Sequence, residues 1–125
     1  MNRPLKGRLI LVVEDEPLIA LDIMEAFEAA GARVLRTKKL EEALRLVEQP
    51  VMSAAVVDFG LGEDDSTALW GRLRERGIPF IHYSGYDDLI EAHDNEIVVS
   101  KPGNIQVLVH TIVGLLRSSA APRPN

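Results

Sequence analysis

"LILVVEDEP", Leu9 to Pro17, runs five apolar residues straight into three consecutive carboxylates, Glu14, Asp15 and Glu16, and then a proline. An unbroken apolar run of this length is what a strand covered on both faces looks like. Acids this close together cost free energy unless a cation or a solvated face relieves them. The stretch therefore predicts a buried strand whose carboxyl end either reaches water or holds a metal ion. Pro17 is well suited to the first turn of a following helix, where its missing N–H has no partner to lose.

The rest of the chain repeats this alternation of strand and helix, which argues for a parallel α/β sheet. The first strand covers residues 8–13, and its helix carries Leu18, Leu21, Met24 and Phe27 and stops at Gly31, a good residue just past a helix end. "ARVLRT" (32–37) alternates and reads as a half-exposed strand. Leu40, Ala43, Leu44 and Val47 fall at i, i+3, i+4 and i+7 and give the second helix. "SAAVVD" (53–58) is a short central strand ending in Asp58, followed by the Gly- and Asp-rich loop "FGLGEDDS" and a helix over 66–76. "PFIHYS" (79–84) and "EIVVS" (96–100) are strands four and five. The segment between them supports only a short helix. Ile105, Leu108, Val109, Ile112, Leu115 and Leu116 make a strongly amphipathic last helix. Residues 1–118 form one (βα)5 domain, and 119–125 read as a disordered tail.

Composition narrows the function classes. A net charge of −5 argues against a nucleic-acid or anionic-membrane binder working through bulk charge. Without cysteine there are no disulfides, thiolate chemistry or cysteine–zinc sites. No apolar run approaches membrane-spanning length and the first residues lack a signal-peptide pattern, so a cytoplasmic protein is expected.

In a parallel α/β sheet, function gathers at the carboxyl ends of the strands. Strand one ends in Glu14-Asp15, strand three in Asp58, strand four in Ser84 and strand five in Lys101; strand two ends in Thr37-Lys38-Lys39. Two carboxylates and a backbone carbonyl suffice for Mg²⁺, which prefers oxygen ligands and keeps several waters. A further carboxylate can act as a nucleophile and become an acyl phosphate. A metal and a lysine neutralise charge on the transferring phosphoryl oxygens, and a hydroxyl can bond the group once attached.

"VVEDEP", "AAVVDFGLG", "HYSGY" and "VSKP", each closing a strand run in this order, resemble a response-regulator receiver domain of two-component signalling over nearly the full chain. The resemblance implies the flavodoxin-like three-layer sandwich with sheet order 2-1-3-4-5. It implies Asp58 as phospho-acceptor, Asp15 as direct Mg²⁺ ligand, Glu14 acting mainly through metal-bound water, and Gly60 lending its backbone carbonyl to the metal. Ser84 resembles the switch hydroxyl and Lys101 the phosphoryl-pairing lysine, with a cis bond to Pro102. The implied partners are a histidine kinase or histidine phosphotransfer protein and a downstream protein target, with signalling or onward relay through the strand four to strand five surface. No direct nucleic-acid partner and no membrane is expected, and a monomer or weak dimer is expected. Such a domain is not an enzyme beyond catalysing its own phosphorylation and dephosphorylation.

Single members of this set have plainer readings. Glu16 can be an acid at a helix N-terminus, Asp58 alone could cap a turn, and Ser84 before glycine is a common turn residue. His82, His93 and His110 show no metal-ligand spacing; His82, alternating with Phe80 and Ser84, is read as a structural histidine. Trp70 reads as a packing residue. Most receivers carry an aromatic three places before the lysine of strand five, where this chain has Val98. Its aromatics crowd strand four instead, in "PFIHYSGYDD", partially resembling a receiver subgroup, typically single-domain, with a Pro-Phe-x-Phe-Ala-Thr-Gly-Tyr stretch. Gly85 is permissive and Tyr86 follows it, so Tyr86 is the candidate to carry the conformational signal and shield the phosphoryl group. Competing readings are an interaction module of the same fold that works without phosphorylation, and a small Mg²⁺-dependent phosphohydrolase. The latter lacks a second acid two residues after Asp58, where Gly60 stands.

Overall fold

The computed structural model describes residues 3–58, 67–84, 97–100 and 105–120. Five parallel strands, β1 (Leu9–Val13), β2 (Arg33–Thr37), β3 (Met52–Asp58), β4 (Phe80–Ser84) and β5 (Ile97–Ser100), form one sheet in the order β2-β1-β3-β4-β5. Among the described residues four helices cover it: α1 (Pro17–Ala29), α2 (Leu40–Leu46), α3 (Thr67–Glu75) and α4 (Ile105–Ala120). The short helix expected between β4 and β5 lies outside the described residues. The last helix runs two residues into the segment given to the tail, and 121–125 are again outside.

The central strands sort their side chains between two cores by simple alternation. Ile10, Val12, Ala54, Val56, Ile81 and Tyr83 meet α1 and α4 through Ile23, Phe27, Leu108 and Ile112. Leu9, Leu11, Val13, Ala55 and Val57 meet α2 and α3 through Ala43, Leu69, Trp70 and Leu73. An irregularity at Ser53 shifts the β1–β3 register after Leu9, and the Ser53 hydroxyl accepts the Leu9 N–H at 3.1 Å there. Edge strand β2 is half-exposed, as its alternation implies.

Helix α1 turns a different face inward from the one its leucines suggest. Ala20, Ile23 and Phe27 are buried, while Leu18 and Leu21 are 71% and 49% exposed. The stripe Leu18, Leu21, Met24, Phe27 advances by threes, and at about 100° per residue it drifts until Leu18 and Phe27 stand half a turn apart. The helix closes where Gly31 predicts. Ala32 N–H bonds the Phe27 carbonyl at 3.1 Å and Gly31 N–H bonds that of Glu28 at 3.0 Å, the paired bonds of a Schellman cap.

That cap also seats the N-terminal turn. Leu5 is fully buried in the α1–α4 core, and its N–H bonds the Ala30 carbonyl at 2.9 Å. Gly31 has φ +103, and a Cβ there would stand 3.0 Å from both Arg3 Cβ and Lys6 N. Gly31→Ala is therefore expected to cost about 1–3 kcal/mol in urea unfolding, because strain and a displaced turn act together. A variant within about 0.5 kcal/mol of wild type would show that the turn gives way freely.

Across the α2–α3 side, the Arg72 guanidinium grips Glu48 at 2.5 and 2.6 Å, and Arg76 donates to the Val47 carbonyl at 2.9 Å. The hydrogen bond from Arg72, helped by its charge and that of Arg76, holds the Glu48 carboxyl below the usual carboxylate range. Both partners are exposed to solvent, so the grip orients the helices more than it stabilises them.

Candidate functional site

The sheet brings the acidic strand ends side by side. Val13 pairs with Val57, so Glu14-Asp15 and Asp58 continue neighbouring strands at the same level. Asp58 in turn pairs with Tyr83, and Ser84 with Ser100, so the carboxyl edge carries Thr37, Glu14-Asp15, Asp58 and Ser84 in spatial order. Neighbouring strands lie roughly 4.8 Å apart, so adjacent strand ends are within reach of one bound group. Asp58 and Ser84 are placed here by backbone register alone. Gly60, Tyr86, Lys101 and Pro102 lie outside the described residues.

The two acids of the pair sit differently. Glu14 is 1% exposed, and its Oε2 accepts the Glu16 N–H at 3.1 Å. Asp15 is exposed. Glu16 is the N-cap of α1 with an extended backbone and makes no side-chain cap bond. Its carboxylate therefore supports the helix only through proximity to the N-terminus, as an acid there should.

The β1–β2 ladder stops at this point because side chains intercept its next bonds. Glu14 N–H still donates to the Thr37 carbonyl at 3.0 Å. The following rung would run from Lys39 N–H to the Glu14 carbonyl. Lys39 N–H goes instead to the Thr37 hydroxyl at 3.0 Å. The Glu14 carbonyl accepts two donors of Arg36, Nη2 at 2.8 Å and Nε at 3.1 Å. Glu16 N–H, the donor of the rung after, is taken by Glu14 Oε2. The two strands thus splay open with every one of these backbone groups satisfied, and a cleft lined by Asp15, Pro17, Arg36, Thr37, Lys38, Lys39 and Glu42 forms between them.

These donors suit a hard cation. Glu14 and Asp15 offer only oxygen, and a buried carboxylate such as Glu14 gains from a positive charge beside it. Among the described residues no three metal-ligating side chains come together; the third acid of the expected set, Asp58, joins by position at the end of β3.

His82 is fully buried and serves packing. Its ring meets Trp70 edge-on at 4.7 Å and Phe80 at 5.3 Å, with the Arg74 guanidinium 5.7 Å from the Phe80 ring. That agrees with a structural histidine on the face shared with Phe80. Trp70 is buried beneath it on α3.

The residue that composition and spacing did not single out is Arg36. Its role depends on β2 lying beside β1, which no period in the chain encodes.

Comparison with solved structures finds the same fold elsewhere. The protein SdrG from Sphingomonas melonis is 30% identical, with a TM-score of 0.74, covering 87% of this chain and 96% of its own. A putative response regulator from Chloroflexus aurantiacus is 25% identical, with a TM-score of 0.75, covering 90% and 99%. The receiver domain of a sensor histidine kinase from Pseudomonas aeruginosa, described with a magnesium ion coordinated in its active-site cleft, is 22% identical, with a TM-score of 0.75, covering 89% and 98%. Neither a protein-family model nor a curated protein matches the chain. A parallel sheet in the order β2-β1-β3-β4-β5, covered by helices, is the flavodoxin-like arrangement, in which ligands bind at the carboxyl ends of the strands. The chain belongs to the response-regulator receiver family. Among the described residues no helix is long and apolar enough to cross a membrane.

Proposed function

We propose that this chain is a phospho-accepting receiver that takes a phosphoryl group from a histidine kinase or histidine phosphotransfer protein onto Asp58. The observation that carries the reading is the pairing of Val13 with Val57, which sets Glu14-Asp15 and Asp58 level at one edge. A carboxylate oxygen of Asp58 attacks phosphorus, the P–N bond of the phosphohistidine donor breaks, and the departing imidazole takes up a proton. An acyl phosphate remains on Asp58.

Glu14 and Asp15 would hold Mg²⁺, with Asp58 and the Gly60 carbonyl completing the protein's share of the ligands. When bound, the cation neutralises charge on the transferring phosphoryl oxygens. Lys101 would pair with another phosphoryl oxygen and Ser84 would bond the attached group. The consequence for partners is a changed surface around β4 and β5, with Tyr86 as its carrier. The domain acts only on its own phosphorylation and on the hydrolysis of its own acyl phosphate.

Mass spectrometry after exposure to a small phosphodonor with Mg²⁺ tests this. A single phosphoryl adduct mapping to Asp58 is expected. Sustained turnover of the donor beyond one equivalent, with no adduct, would make the chain a hydrolase. No reaction at all would make it an interaction module.

A further inference from the structure

We infer that Arg36 is a positioning residue for the acid pair: its guanidinium holds the peptide that joins Glu14 to Asp15, and so sets how both carboxylates face a bound cation. The inference rests on the Mg²⁺-binding reading above and deepens it.

The carbonyl that Arg36 grips, at 2.8 and 3.1 Å, belongs to the peptide plane whose other end is the Asp15 N–H. On its near side Glu14 is tied through its own N–H to Thr37. Both peptide planes flanking Glu14 are therefore fastened to β2, one by the ladder and one by a side chain. That fixes the backbone torsions that send the Glu14 carboxylate into the protein and Asp15 out into the cleft. Without Arg36 the Glu14 carbonyl would have no rung to join, because Thr37 has already taken the Lys39 N–H.

The chemistry of the donor matters as well as its charge. A guanidinium is a rigid planar fork, and two of its N–H groups converge on one oxygen. A lysine ammonium, a point charge on a flexible stem, reaches the same region without orienting the peptide. Arg36 Nε and Nη2 are spent on a carbonyl oxygen rather than on a carboxylate. Groups that orient metal ligands in this way typically change metal affinity by about 10- to 100-fold when removed. For a weakly held ion that keeps most of its waters, the low end is expected.

The test compares Arg36→Lys and Arg36→Met with wild type by NMR titration with MgCl₂, following the Asp15 amide. Both variants are expected to raise the half-saturating Mg²⁺ concentration about tenfold. In metal-free protein the Glu14 carbonyl ¹³C resonance is expected to move upfield as its hydrogen bonds are lost. Phosphoryl uptake at saturating Mg²⁺ is expected to recover toward wild type, since the ligands themselves remain. A purely structural role would lower the melting temperature and leave the half-saturation point of the folded protein unmoved, which would overturn the inference. So would an Arg36→Lys variant with wild-type Mg²⁺ affinity, because charge alone would then suffice. If Arg36→Met does not fold, Arg36→Lys decides the matter by itself. Failure of wild type to take up phosphoryl would sink the proposed function, whereas the metal titration would still decide for or against Arg36.

Discussion

Asp58→Asn is expected to abolish phosphoryl uptake from a small phosphodonor while leaving the fold intact. The amide keeps the size of the side chain and its capacity to accept a hydrogen bond, but has no anionic oxygen with which to attack phosphorus. The fold should survive because Asp58 contributes to the sheet through its backbone, paired with Tyr83 at the last rung of β3. In the proposed site, removing one of three carboxylates also relieves repulsion among them. The melting temperature in the absence of Mg²⁺ should therefore equal or slightly exceed that of wild type. The measurement is intact-mass spectrometry with and without Mg²⁺, together with a thermal melt. An adduct that persists in the variant and maps to Asp15, the exposed neighbour, would move the nucleophile to β1.

The fold was legible where local pattern and global packing ask for the same residues. The unbroken apolar runs at 9–13 and 54–57 are buried on both faces because β1 and β3 are interior strands, each flanked by two others. Pro17 and Gly31 bracket α1 because their backbone limits are chemical and act in any context. The clustering of acids at strand ends was readable because parallel strands present all their carboxyl ends on one edge.

What stayed hidden depends on which elements become neighbours. Leu5 is one apolar residue among basic residues, proline and glycine, with no periodicity to mark it, yet it is fully buried against the end of α1. Arg36 reads as an ordinary polar residue of a half-exposed strand until β2 is set beside β1. Only then does it become clear that Thr37 has closed off the next rung and left a carbonyl for the guanidinium. The exposure of Leu18 and Leu21 is a third case. A stripe repeating every three residues looks amphipathic over two turns but not over four, and only the sheet beneath it decides which end faces in.

The two faces of α1 give the last test, because the same helix predicts opposite outcomes. Phe27→Ala removes a fully buried ring that packs with Leu5, Ile10, Ile23 and Leu116 in the core under α1 and α4. Truncating a phenylalanine in such a place costs about 3–5 kcal/mol, a large part of the roughly 5–15 kcal/mol that holds a domain folded. For a chain of this size that lowers the melting temperature by about 10–20 °C. Leu18→Ala cuts a side chain that is 71% exposed, so little buried area is lost and alanine is a slightly better helix former. Its effect on stability should stay within about 0.5 kcal/mol. Urea and thermal unfolding of the two variants measure the difference directly. A Phe27→Ala cost below about 1 kcal/mol, with Leu18→Ala the more damaging of the two, would mean that α1 is rotated by half a turn. The helix would then leave the acid pair on a different path, and the splayed end of β1 and β2 would have to be rebuilt around it.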